Sequence, residues 1–194
     1  ENTNETVKEY ASLIAQSTSQ QLHFIESFLK LLKAQDELLH SNPELQNISF
    51  EAIHSSVSEQ VQQQLALKHI KLNSIIEVKE KALLIKPELL VRVLVNLVDN
   101  AIKFSFPESE IEVKYFIKND QMRIAVKDNG VGFNLDKSEV LFQKFTTQKK
   151  KGTANEASTG LGLYLCKTIV ERYKGRLQAK SEGENKGATF TVSF

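Results

Sequence analysis

The sequence predicts an α+β chain in which one long helix precedes a unit of helices and strands around a mixed sheet. Three observations predict this. From Glu5 to about His40 there is no glycine or proline, and apolar side chains recur at helical spacing. Beyond Pro43, stretches that alternate apolar and polar residues are separated by stretches with helical periodicity. The bulk composition, 41% hydrophobic and 25% charged over 194 residues, is that of a folded chain.

In the first helix Ala11, Thr18, Ile25 and Leu32 recur every seven residues, as do Ile14, Gln21, Phe28 and Gln35, with Leu22 and Leu29 widening the stripe. A lone helix cannot bury such a face, so the spacing predicts a helical bundle completed by further helices or a partner. Ser41-Asn42-Pro43 breaks this helix. Ile48-Ser49-Phe50 reads as a short strand, and Ser49 can cap a helix from about Phe50 to His69. Gln60 to Gln64 is a solvated face of that helix. Ile70 to Glu77 alternates as a half-buried strand does, and a helix from about Pro87 to Ser105 follows, with proline in its first turn. Glu110 to Ile117 and Met122 to Lys127 form a hairpin about Lys118-Asn119-Asp120-Gln121. Asp128 to Thr159 reads as a mobile loop of functional length, including Lys149-Lys150-Lys151-Gly152. A helix from about Leu161 to Lys174 is ended by Gly175. The strands Arg176 to Ser181 and Ala188 to Phe194 close the chain.

Composition excludes several classes. Lys and Arg number 25 against 24 Asp and Glu, a net charge of +1, which argues against a dedicated nucleic-acid binder. The single cysteine, Cys166, rules out a disulfide framework and a four-thiolate zinc site. No apolar run approaches the roughly 20 residues that span a bilayer. The expectation is a cytosolic, soluble stretch that is not inserted in a membrane. Met122 is the only methionine, so Glu1 is not a natural start, and the chain reads as a piece of something longer.

Four segments place small or amide-bearing residues where a nucleotide could approach. In Asn96-Leu97-Val98-Asp99-Asn100-Ala101-Ile102-Lys103-Phe104, Asn96, Asn100 and Lys103 share one helical face. Two carboxamides and an ammonium suit a hydrated magnesium ion carrying phosphates, although the same pattern also fits the surface of any amphipathic helix. Asp128-Asn129-Gly130-Val131-Gly132-Phe133 follows a strand, and its glycines permit close backbone approach to a flat ligand. Asp-Asn-Gly by itself equally suits a plain turn. Ser158-Thr159-Gly160-Leu161-Gly162-Leu163 opens a helix whose free N–H groups attract anions. It lacks the third glycine of a dinucleotide fingerprint and the Gly-Lys-Ser/Thr of a phosphate loop. Gly187-Ala188-Thr189-Phe190 begins the last strand.

In this order and spacing the segments resemble sensor histidine kinases of two-component systems. Asn96 to Phe104 looks like their N box, and Asp128 to Phe133 like the first glycine box. Leu141-Phe142-Gln143-Lys144-Phe145 looks like the F box, Thr159 to Leu163 the second glycine box, and Gly187 to Phe190 the closing Gly-x-Thr-Phe element. The resemblance covers residues 47–194 as a catalytic, ATP-binding domain, with 1–42 as the second helix of a dimerisation and phosphotransfer bundle. It implies the Bergerat (GHKL) fold, a two-layer α/β sandwich with a mixed sheet in which ATP lies between helices and sheet under a lid.

Carried over by position, the resemblance makes Asn100 the main magnesium ligand with Asn96 beside it, and Lys103 and Phe104 part of the nucleotide site. Asp128 would accept the adenine amino group, with Gly130 and Gly132 shaping that pocket. Thr159, Gly160, Leu161 and Gly162 would meet the phosphates, Phe142 and Phe145 would anchor the lid, and Thr189 closes the set. Ser158 stands where the family usually has glycine. The implied ligands are ATP or ADP with Mg2+, and the implied partners are a response regulator receiver domain and a second copy of the full protein.

The implied mechanism is in-line attack of a neutral imidazole on the γ-phosphate. None of His23, His40, His54 and His69 sits in the acceptor pattern of the family, since His23 is followed by Phe24-Ile25-Glu26 with no adjacent acid and no proline. The expectation is therefore ATP binding without self-phosphorylation, the acceptor helix lying upstream. Gyrase-type members carry glutamate where this chain has Asn96, and anti-sigma kinases lack the preceding helix.

Overall fold

The structure, a computed structural model, describes residues 2–40, 43–134, 140–144, 152–153 and 160–194, leaving aside the side chains of 2–5, 20, 23, 27, 30–31 and 34–40. The expectations for Phe145, Ser158, Thr159, Lys149 to Lys151 and the side chains of His23 and His40 lie outside these residues.

The elements run α1 (Asn2–His40), β1 (Gln46–Ser49), α2 (Phe50–Lys68), β2 (Lys71–Ile76), β3 (Glu80–Leu83), α3 (Pro87–Phe104), β4 (Glu110–Lys118), β5 (Gln121–Lys127), a 3-10 turn (Val140–Phe142), α4 (Gly162–Arg172), β6 (Arg176–Lys180) and β7 (Thr189–Ser193). Five strands form a mixed sheet in the order β2-β4-β5-β7-β6. β2 and β4 are parallel and every other pair is antiparallel. The register stacks Val113 on Val126 and Phe190, and Tyr115 on Ile124 and Val192, so alternate residues of adjacent strands share one buried face. Against that face lie α2, α3 and α4, giving the two-layer sandwich.

α3 is the most apolar of the helices. Leu90, Val93, Leu94, Leu97, Val98 and Ala101 are completely buried, while Arg92, Asn96, Asn100 and Lys103 keep partial exposure on the remaining side. Burying one such leucine stabilises by about 2–3 kcal/mol, so the helix axis is fixed by its apolar side and its polar side is presented as a consequence. Pro87 occupies the first turn as expected.

Several boundaries differ from the sequence reading for identifiable reasons. β1 ends at Ser49, because Phe50 already belongs to α2 and the Ser49 hydroxyl accepts from the Ala52 N–H at 3.4 Å. β3 was not anticipated. Its Glu80-Lys81 start shows no apolar alternation, and it is a strand because it pairs antiparallel with β1, helped by Asn47 Nδ2 donating to Glu80 Oε2 at 2.9 Å. α4 stops at Arg172, and Lys174 rather than Gly175 takes the left-handed backbone, with φ of 59°. Gly175 is required for a different reason, since a side chain there would run into the Ser193 carbonyl on β7.

α1 leaves its apolar face open. Leu13, Ile14, Leu22, Ile25 and Leu29 are each more than half exposed, and the helix touches the remainder chiefly at α4.

A half-buried polar cluster sits between α2 and the sheet. His54 Nδ1 lies 3.2 Å from the Tyr115 hydroxyl and Nε2 lies 3.3 Å from Ser58 Oγ, with the imidazole edge-on to the tyrosine ring. Desolvation lowers the His54 pKa below its ordinary 6.5 and raises that of Tyr115. A histidine whose folded pKa is depressed contributes stability that is fully present above its unfolded value of 6.5 and is lost as the pH falls from there through the lower folded value. Urea midpoints are therefore expected to fall between about pH 7 and pH 5, and His54→Gln should flatten that part of the profile. An unchanged slope in the variant would remove His54 from the account.

Candidate functional site

A cleft of about 1170 Å³ opens between α2, α3, α4 and the end of β5. Asn96, Asn100, Lys103, Phe104, Asp128, Gly132, Gly160, Leu161 and Gly162 all line it. The structure thus gathers residues from three distant sequence segments into one concavity. Gly130 stands behind the lining. Thr189 lies outside it, and its neighbours Ala188 and Phe190 line the cleft instead. Phe142 is also outside it and is buried beneath the Lys167 ammonium, whereas the preceding Leu141 reaches the cleft.

At one end the chemistry is set by Asp128. The residue is 3% exposed, and its Oδ1 accepts two backbone N–H groups, from Gly130 at 2.9 Å and from Ala188 at 3.1 Å. Its own N–H donates to the Ala188 carbonyl at 2.9 Å. Burial pushes the carboxyl pKa up, and the two N–H groups oppose that shift. With Oδ1 committed to the fold, Oδ2 takes no donor among the described residues and is left for the cleft that Asp128 lines. An acceptor beside the apolar surfaces of Val131, Phe133, Ala188 and Phe190 can read an exocyclic amine on a flat ring.

The loop after Asp128 is shaped by contacts that tolerate no side chain. A Cβ on Gly130 would coincide with the Phe104 carbonyl. Gly132 has φ of 58°, and a Cβ there would strike the Gly183 carbonyl and the Ser181 hydroxyl. Ser181 was not singled out from sequence. It is buried, accepts from the Phe133 N–H at 3.1 Å and donates to the Gly187 carbonyl at 2.7 Å, joining the loop to the β6–β7 turn. The signal for it was the glycine pair at 183 and 187, which marks a turn pressed against another backbone.

At the other end lie the two carboxamides. Asn96 Nδ2 donates to the Arg92 carbonyl one turn earlier at 2.8 Å, which fixes the amide so that Oδ1 points away as an acceptor. That oxygen lies 3.2 Å from where a Cβ on Gly162 would sit, so the bare backbone at the start of α4 faces it directly. Lys103 is held at 2.8 Å by Asp99 on the same face. α4 begins with no side-chain cap, and its first N–H groups come from the residues that line the cleft. Hard oxygens, one ammonium and an open helix N-terminus make this end suited to a cation–polyphosphate pair. Among the described residues no group of three or more His, Cys, Asp or Glu stands together.

Residues 85–194 match the family described as histidine kinase-, DNA gyrase B-, and HSP90-like ATPase. The signal transduction histidine-protein kinase ArlS of Staphylococcus aureus (strain USA300) is 27% identical over 176 residues, covering 88% of this chain and 39% of that protein. The chain therefore spans less than half the length of the curated relatives it matches. Among solved structures, full-length ShkA in complex with AMPPNP aligns with a TM-score of 0.71 at 19% identity, covering 96% of this chain and 38% of that one. The histidine kinase ThkA in complex with response regulator protein TrrA aligns with a TM-score of 0.69 at 18% identity, covering 98% and 51%. These likenesses establish the sandwich fold with a preceding helix.

Gly130→Ala should destabilise the chain by about 3 kcal/mol or more, because the Phe104 carbonyl has nowhere to retreat within a closed helix end. Chemical denaturation of the variant against the unmodified chain checks this, and a loss below about 1 kcal/mol would contradict the packing described.

Proposed function

Because the chain belongs to the family of histidine kinase-, DNA gyrase B-, and HSP90-like ATPases, we propose that it is the ATP-binding catalytic core of a sensor histidine kinase. In that role residues 47–194 form the nucleotide-binding domain and residues 1–42 contribute to a helical region. The observation that carries this reading is the split use of Asp128, one oxygen held by two backbone N–H groups and the other left for the cleft. That is the arrangement a buried carboxylate needs to accept an adenine amine without loosening its own loop.

The roles follow from what each group can offer. Asp128 Oδ2 accepts from the exocyclic amine, while Val131, Phe133 and Phe190 cover the ring. Asn100 and Asn96 present carboxamide oxygens to Mg2+, which when bound would offset phosphate charge. Lys103, at the same wall, can exchange part of its contact with Asp99 for a phosphate oxygen. Gly160, Leu161 and Gly162 present backbone N–H groups to the anion. Asn96 in place of a glutamate favours transfer to a protein side chain over water activation, since a carboxamide is no general base. The acceptor is a histidine of the full protein, with onward transfer to a response regulator receiver domain.

The open face of α1 supports a homodimeric bundle in that full protein, because apolar residues at heptad spacing gain about 0.8 kcal/mol per CH₂ group removed from water. Among the described residues no helix is long and apolar enough to cross a membrane. We place this part of the protein on the cytoplasmic side, where ATP is available.

Asp128→Asn is the discriminating substitution. An asparagine oxygen can still accept from Gly130 and Ala188, so thermal unfolding should change little, but an NH₂ group now meets the adenine amine. Titration calorimetry should show magnesium ADP binding weakened about 100-fold. Unchanged affinity would refute the adenine contact. Asn100→Ala should abolish the magnesium-dependent part of binding with the fold intact. Equal affinity with and without magnesium in the unmodified chain would refute the metal assignment.

A further inference from the structure

A helix that ends inside a protein leaves its last four carbonyls without intrahelical partners. At the end of α3 these are Ala101, Ile102, Lys103 and Phe104, and all four find donors. Ser105 N–H donates to Ala101 O at 2.9 Å, and Val131 N–H, in the loop after Asp128, donates to Phe104 O at 3.0 Å. The Lys68 ammonium, at the end of α2, donates to Ile102 O at 2.8 Å and Lys103 O at 3.0 Å. Thr153 N–H also donates to Lys103 O at 3.0 Å.

Lys68 is 8% exposed. A cation buried to that degree must exchange its water for fixed acceptors, and the negative end of a helix dipole supplies them. The third acceptor is the Thr153 hydroxyl, 2.8 Å from Lys68 Nζ. That hydroxyl has one hydrogen and lies 2.6 Å from the Ser105 carbonyl, so it accepts from Lys68 and donates to Ser105 O at the same time. Thr153 belongs to the segment between the F-box residues and the second glycine pair, seven positions before Gly160.

We propose that Lys68 is a positioning residue for the nucleotide site, its ammonium clamping Thr153 to the C-terminal carbonyls of α3. The inference rests on the nucleotide reading above and adds to it a residue on α2 that does not line the cleft. Among the described residues, the Lys68 ammonium donates to two carbonyls of α3 and to the Thr153 hydroxyl. Lys68 thereby fixes Thr153 against the end of the helix that carries Asn96, Asn100 and Lys103. Without the clamp, the Lys103 carbonyl and the Thr153 hydroxyl lose their shared donor, so the end of α3 must be set in place when the ligand arrives, and that cost is subtracted from the affinity.

The test measures magnesium ADP binding by calorimetry for the unmodified chain, Lys68→Met, Thr153→Val, Thr153→Ser and the Lys68→Met/Thr153→Val double variant. Thr153→Val, which keeps shape and loses the hydroxyl, should weaken binding about tenfold. Thr153→Ser should restore it, and the double variant should bind no more weakly than Lys68→Met alone. Hydrogen exchange adds a readout that general destabilisation does not move selectively: the Thr153 amide should exchange faster in Lys68→Met while amides of β4 and β5 keep their protection. If Lys68→Met fails to fold, the Thr153 pair decides alone. Unchanged affinity in Thr153→Val beside normal binding by the unmodified chain overturns the clamp and leaves the nucleotide reading standing. No binding by the unmodified chain overturns both.

Discussion

A buried helix end is an obligation, because its carbonyls must find donors or forfeit about 1–3 kcal/mol each. In this chain the obligation at the end of α3 organises the whole nucleotide-facing side. Its four terminal carbonyls accept from the helix cap, from the end of α2, from Thr153 and from the loop after Asp128. The donors come from segments far apart in sequence, so the helix end joins them, and any shift of α3 is felt in all of them. The apolar side of α3, buried against α2, α4 and the sheet, holds that point in place.

The cleft follows from this constraint with few further demands. Val131 can donate to Phe104 O only if the chain comes very close to the helix end, and Gly130 permits that approach. Once the loop is seated there, Asp128 falls beside Ala188 and its carboxylate divides between fold and cleft. Ser181 fastens the far side of the same loop to the β6–β7 turn. Across the cleft, the fixed carboxamide of Asn96 faces the bare start of α4. The groups proposed to meet the ligand are therefore short side chains and backbone on packed elements, which keeps their loss of freedom on binding small.

α1 obeys a different rule. Its apolar residues recur as regularly as those of α3, yet among the described side chains Leu13, Ile14, Leu22, Ile25 and Leu29 remain more than half exposed. The sandwich closes its own core without them: Ile48, Phe50, Leu97, Tyr115 and Ile124 are all at most 1% exposed. One face of the chain thus completes a domain, and the other offers surface to further helices.

What the sequence determined by itself was whatever depends on local pattern. α3 was legible from its run of leucine and valine with proline at the start. The hairpin was legible from Asn119-Asp120, both of which adopt positive φ. The helix at Phe50 was legible from Ser49, and the asparagine and glycine residues that line the cleft from the order of their segments. Tertiary structure decided what depends on a partner elsewhere in the chain. β3 has no alternation of its own and exists through β1. Ala188 and Phe190, rather than Thr189, line the cleft because the β5–β7 register turns them toward it. Nothing in the sequence marks Lys68, and only the meeting of α2 with the end of α3 made it a buried cation. Periodicity encodes which face a residue takes, but the acceptors that make a buried charge tolerable come from residues 34 or more positions away, and no local pattern records them.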